Sequence, residues 1–101
     1  MLQRKIDTLV TQLYLGKPCS QRYYLHQTLI FLSHHPEYLE DTLTNLCKAM
    51  RDTFPSYYGK PVRYRHTYEV LLQCDHYLTS QGIVPGGTMA MLKTLMKKIM
   101  E

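Results

Sequence analysis

The sequence has no tryptophan, only two phenylalanines and no long apolar run. Its longest uninterrupted stretches, such as Leu29 to Leu32, fall far short of the ~20 residues a bilayer-spanning helix needs, so no membrane association is expected. Arg4 and Lys5 near the start are not followed by the apolar stretch and small-residue site of a secretory signal, and the expectation is a cytoplasmic chain. Cysteine is scarce. Cys19, Cys47 and Cys74 are odd in number and widely spaced, which argues against a disulfide framework and for reduced thiols.

Chemistry-bearing spacings are missing too. No CxxC, HxxxH or HExxH occurs among His26, His34, His35, Cys19 and Cys47. The adjacent His34 and His35 would diverge by ~100° on a helix, so they read as a polar helix end before Pro36, and no metal is expected. There is no carboxylate dyad and no nucleophile–base pair, since Cys74 and His76 fall on different faces of one helix and Cys47 reads as a core thiol. The glycines of Pro85-Gly86-Gly87-Thr88 precede a helix that could accept an anion, but no strand comes before them and no GK[ST] exists. The expectation is a non-enzyme with no catalytic residue, cofactor or small-molecule substrate.

What is present is enough for one small globular domain spanning residues 1–101: 45% apolar residues, nine tyrosines and a net charge of +4. Apolar residues recur with helical period, and no stretch alternates in the manner of a strand. Leu2, Ile6, Leu9, Val10 and Leu13 predict a first helix to about Leu15, closed by Gly16 and Pro18. Ser20 is the expected N-cap of a second helix running to about Ser33, apolar all round at residues 29–32 and therefore central. Leu39, Leu43, Leu46, Cys47, Met50 and Phe54 mark a third, over about 37–54, with Glu37, Glu40 and Asp41 near its start and Lys48 and Arg51 near its end. Pro61 suits the first turn of a fourth, over about 60–81. On that helix Tyr64, Thr67, Tyr68, Leu71, Cys74 and Leu78 face inward, while Val62, Arg65, His66, Glu69, Gln73 and His76 face outward. Asp75 falls beside the apolar face with no role evident from the sequence. Thr88 is the expected cap of a last helix, with Leu92, Leu95, Met96 and Ile99 inside and Lys93, Lys97 and Lys98 outside. The expected fold is an all-α bundle of about five helices containing a helix-turn-helix-like pair.

The junction between the third and fourth helices carries most of the functional signal. Residues 55–66 contain Lys60, Arg63 and Arg65 and no acid, interleaved with Tyr57, Tyr58, Tyr64 and His66. A basic second helix after a turn is the layout by which a recognition helix enters the major groove, where Arg reads guanine and Lys or Tyr holds phosphate. The same Tyr- and Arg-rich segment would also serve a protein-interaction surface. Methionines 89, 91, 96 and 100 allow a further reading, a homodimer seam on the last helix.

Beyond these patterns, the chain resembles the DNA-binding effector domain of the sporulation stage zero A response regulators. Leu15-Gly16-Lys17-Pro18 is similar to that family's apolar-Gly-x-Pro, and Tyr24-Leu25 to the pair opening its long helix. The segment from Leu39 to Phe54 is similar to its next helix, and Arg65-His66-Thr67-Tyr68-Glu69-Val70 to the Arg-His-x-x-Glu-Val of its recognition helix. Pro85 and the helix from Thr88 resemble the family's later proline and terminal helix. The likeness implies a transcription-regulating domain that binds double-stranded DNA, with Arg65 and His66 in the groove. Lys60 and Arg63 would then contact phosphates, Tyr57 or Tyr58 would help to position the turn, and Glu69 would share the reading face. The departures are specific. Pro61 and Val62 stand where the family has a base-reading Glu-Arg pair, and no helix intervenes between the recognition helix and the last one. The alternative expectation is therefore a protein–protein interaction module that kept the helical scaffold and lost specific DNA binding.

Overall fold

The first helix, α1 (Leu2–Leu13), forms because Ile6 and Val10 lie one turn apart on a single face, and both are buried. Its end comes two residues earlier than expected. Leu15 takes the left-handed conformation (φ 52°) and Gly16 follows it (φ 74°), with the Gly16 N–H donating to the Thr11 carbonyl at 2.8 Å and the Leu15 N–H to Gln12 at 3.3 Å. That pairing is a Schellman closure in which leucine, not glycine, occupies the left-handed position. The computed structural model describes residues 2–16, 19–51 and 63–101.

The second helix, α2 (Ser20–His34), is central, as its apolar residues predict: Tyr24, Leu25, Thr28, Leu29, Phe31 and Leu32 are all buried. Its N-cap is Cys19 rather than Ser20; the thiol sulfur accepts the Arg22 N–H at 3.4 Å, and Ser20 is the first helical residue.

The expected single helix over 37–54 is instead broken. Residues Pro36–Glu40 form a 3-10 turn, and α3 spans only Leu43–Met50. The reason lies in Asp41 and Thr42, whose side chains compete with the helical backbone. Asp41 Oδ1 accepts both the Thr42 N–H (2.7 Å) and the Asn45 amide (2.8 Å), while Thr42 Oγ1 accepts the Asn45 N–H (3.1 Å). The Asn45 amide and the Thr42 N–H together hold the Asp41 carboxyl below the usual carboxylate range. Glu37 and Glu40 therefore precede α3 and do not sit in its first turn, whereas Leu43, Leu46, Cys47 and Met50 form the buried stripe the sequence implied. Phe54, the expected end of the stripe, lies outside the described residues.

Helix α4 (Tyr64–Ser80) packs against α2, α3 and α5, and α5 spans Thr88–Met100. Being flanked by three helices widens the buried arc of α4 to include Val70 as well as Thr67, Leu71, Cys74 and Leu78. The helix starts about four residues later than the expected residue 60, because Arg63 has extended backbone (φ −74°, ψ 136°) and is its N-cap; Pro61, expected in the first turn, lies outside the described residues. Gly82 (φ 72°) closes α4, with the Ile83 N–H on Leu78 and the Gly82 N–H on Thr79, both at 3.0 Å. Asp75 now has a role. Its carboxylate accepts from the Thr79 hydroxyl (3.0 Å) and from Thr88 (3.3 Å), tying α4 to the first residue of α5. Thr88 is consequently not the cap of α5; Gly87 holds that position at φ 105°. Leu92, Leu95, Met96 and Ile99 are buried as expected, Met91 joins them, and Lys93, Lys97 and Lys98 are exposed. Among the described residues there is no strand, and no helix is long and apolar enough to cross a membrane.

Candidate nucleic-acid interface

The start of α4 gathers four of the residues singled out from the sequence. Arg63 is its N-cap, with extended backbone (φ −74°, ψ 136°), and the Arg63 carbonyl accepts the His66 N–H at 3.0 Å. Arg63, Arg65, His66 and Glu69 are all exposed, because the stripe Thr67-Val70-Leu71-Cys74 turns the opposite side of the helix into the core. Neither Arg65 nor Glu69 has an ion-pair partner among the described residues, although they stand one helical turn apart. His66 is held more firmly. Its ring meets Tyr24 edge-on at 5.4 Å and 79°, and Tyr24 is itself buried in α2 at 2% exposure. Two further candidates, Lys60 and Tyr58, lie outside the described residues, as does Tyr57.

Helix α3 braces this segment. Lys48 Nζ lies 5.2 Å from the centroid of the Tyr64 ring, so the last turn of α3 is clasped to the first turn of α4. Between the two helices runs a cleft of about 410 Å³ lined by Thr44, Tyr64, Arg65, Tyr68, Glu69 and Leu72. Sequence reasoning assigned Lys48 only to the helix dipole. Its place in the last turn of α3 was the signal for its second role as the cation that braces Tyr64.

A second cleft, of about 440 Å³, lies between α1 and α2 and holds Asp7, Cys19, Arg22 and His26. Here the polar groups serve one another. Asp7 pairs with His26, and Arg22 donates to the Gly16 carbonyl (3.0 Å) and to Thr11 Oγ1 (3.1 Å). No group of three potential metal ligands exists among the described residues. The other two thiols are buried, and burial pushes Cys47 and Cys74 up to about 12. Both stay protonated at neutral pH and are poor nucleophiles. The interhelical junction, not this cleft, is where charge remains uncommitted.

No protein-family model matches the chain, and neither a curated protein nor a solved structure matches it with significance.

Proposed function

We propose that this chain is a double-stranded DNA-binding domain of the transcription-regulator type, with the start of α4 as its recognition segment. The observation that carries the reading is the cluster of Arg63, Arg65, His66 and Glu69, exposed on the first turns of a helix whose opposite side is core. The N-terminal residues of a recognition helix are the ones that meet base edges. Arg65, near that end and without an ion-pair partner among the described residues, offers the bidentate donor that suits guanine. Arg63 at the cap would contact phosphate, and Lys48, over the Tyr64 ring, is a further cation for the same backbone. The resemblance of residues 65–70 to the recognition helix of the sporulation stage zero A regulators supports the same assignment.

The test is fluorescence anisotropy with a random-sequence duplex, titrated from low to near-physiological salt. Log affinity is expected to fall with log salt by about 0.9 per phosphate neutralised. Arg63→Ala is expected to weaken all sequences alike and to reduce that slope by about one. Absence of binding at low salt overturns the proposal. A second reading, a protein-interaction module, is favoured by the half-buried Tyr64, Tyr68 and Leu72 in the α3–α4 cleft. It predicts binding to a protein partner with little response to salt.

A further inference from the structure

We propose that the groove between α1 and α5, on helices that take no part in the α3–α4 junction, docks an acidic amphipathic helix of a partner protein. The groove encloses about 390 Å³, with Leu9 and Ile99 in its floor. Arg4 and Lys5 line it from α1, and Lys98 lines it from α5. Its charge is net basic, three cations against the single carboxylate side chain of Glu101 that also lines it, for a structural reason. The only acid of α1, Asp7, pairs with His26 of α2 and belongs to the α1–α2 cleft, while α5 carries no acid at all. Lys5 Nζ donates to the Glu101 carbonyl oxygen at 3.0 Å, and among the described residues Arg4 and Lys98 have no ion-pair partner.

An occupant complementary to this groove needs an apolar stripe between acidic flanks. An α-helix with apolar residues at i, i+3, i+4 and i+7 and Asp or Glu beside them supplies both. From Arg4 to Gln12, the lining residues of α1 offer a track of ~12 Å, matching about two turns of such a helix. A nucleic-acid backbone would satisfy the cations but bring nothing to the Leu9–Ile99 floor, so the groove favours protein. A contact this small implies affinity in the micromolar range or weaker.

The experiment is selection of a phage-displayed helical peptide library on the full chain, followed by anisotropy and amide shift mapping with the recovered peptides. The expected result is enrichment of acidic amphipathic peptides that perturb Thr8, Leu9, Gln12 and Ile99 and bind Arg4→Glu/Lys98→Glu at least tenfold more weakly. Both substituted side chains are exposed and have no ion-pair partner among the described residues, so the double variant should melt like the parent. Shift mapping on the parent chain decides the matter even if it does not. No enrichment over the unselected library, peptides without acidic character, or acidic peptides mapping elsewhere overturns the proposal. So does duplex DNA that perturbs the same amides and loses as much affinity in the double variant, since the groove would then be a phosphate surface. None of these results depends on binding at α4.

Discussion

The α1–α2 and α3–α4 clefts are nearly equal in size, about 440 and 410 Å³, and use their charges in opposite ways. In the first, Asp7 is matched by His26, and Arg22 by the Gly16 carbonyl and the Thr11 hydroxyl. In the second, Lys48 lies on the face of Tyr64, while Arg65 and Glu69 have no ionic partner among the described residues. Charges that are paired across two helices fix how those helices pack. Charges that the fold leaves unpaired at a helix start keep their hydrogen-bonding capacity for a ligand. The difference separates a structural seam from a recognition surface without any appeal to cleft size.

The coarsest way to break both sides at once is alkali, because the core that carries both clefts holds two buried thiols. Cys47 lies on the buried stripe of α3, and Cys74 Sγ donates to the Gln21 carbonyl of α2 at 3.6 Å. Burial raises both to about 12 from an ordinary 9.0. The native state therefore keeps protons that the unfolded chain releases above pH 9. Stability should be flat in this respect below pH 9 and fall between 9 and 12, by up to ~1.4 kcal/mol per pH unit for each thiol. Tyr14, also raised by burial, adds to the fall above pH 10. Urea midpoints measured from pH 8 to 11 check this. Cys47→Ala and Cys74→Ala should each remove one thiol's share of the slope, and a pH-independent midpoint would refute the assignment.

The next effect is confined to the recognition side. Arg65→Ala should cost about 1–3 kcal/mol of DNA affinity and blunt discrimination between sequences. Its effect on folding should stay within about 0.5 kcal/mol, since the side chain is exposed and supports no neighbour. Competition binding and a thermal melt on the same variant read the two quantities separately. An unchanged affinity would remove Arg65 from the interface.

The two sides also differed in how far the sequence revealed them. Helical periodicity placed the buried stripes of α1, α3 and α5 and most of that of α4, and marked α2 as central without assigning it a face; the outward positions of Arg65, His66 and Glu69 followed from the 100° step around Leu71. What it missed was set by side chains bonding to backbone. Asp41 read as an acid near the start of one continuous helix, because the pattern of Leu39 and Leu43 runs straight past it, yet its hydrogen bonds and those of Thr42 start a new helix. Asp75 looked misplaced until Thr88 came within 3.3 Å, a contact across 13 residues that no local window contains. The pairing of Asp7 with His26 was hidden for the same reason, since it joins two helices. Periodicity reports which face is apolar; it does not report which polar groups meet across it.

A smaller effect tests the structural seam. Arg22→Ala removes the two hydrogen bonds that hold the end of α1 to α2, and should lower stability by about 1–2 kcal/mol. DNA affinity should change less than twofold, because Arg22 lies on the α1–α2 side. A denaturant titration beside the binding assay gives both numbers. If Arg22→Ala weakened DNA binding as strongly as Arg65→Ala, the division between the two clefts would fail.

The smallest effect sharpens the comparison by improving the seam rather than cutting it. The ends of α1 and α4 close with the same pair of backbone hydrogen bonds, but α4 places Gly82 in the left-handed position and α1 places Leu15 there. A side chain at that conformation costs roughly 1–2 kcal/mol, from the close approach of Cβ to the following carbonyl oxygen. Leu15 is 80% exposed, so it regains little of that through packing. Leu15→Gly relieves the strain and loses part of the gain to the greater freedom of glycine in the unfolded chain, leaving a net stabilisation of about 0.5–1 kcal/mol. Gly82→Ala should act in the opposite direction, since nothing within 4 Å would obstruct the added Cβ and the backbone conformation alone sets its cost. Melting temperatures of the two variants should move apart, Leu15→Gly upward and Gly82→Ala downward. A downward shift for Leu15→Gly would mean that the exposed leucine contributes more to the α1–α2 seam than its conformation costs.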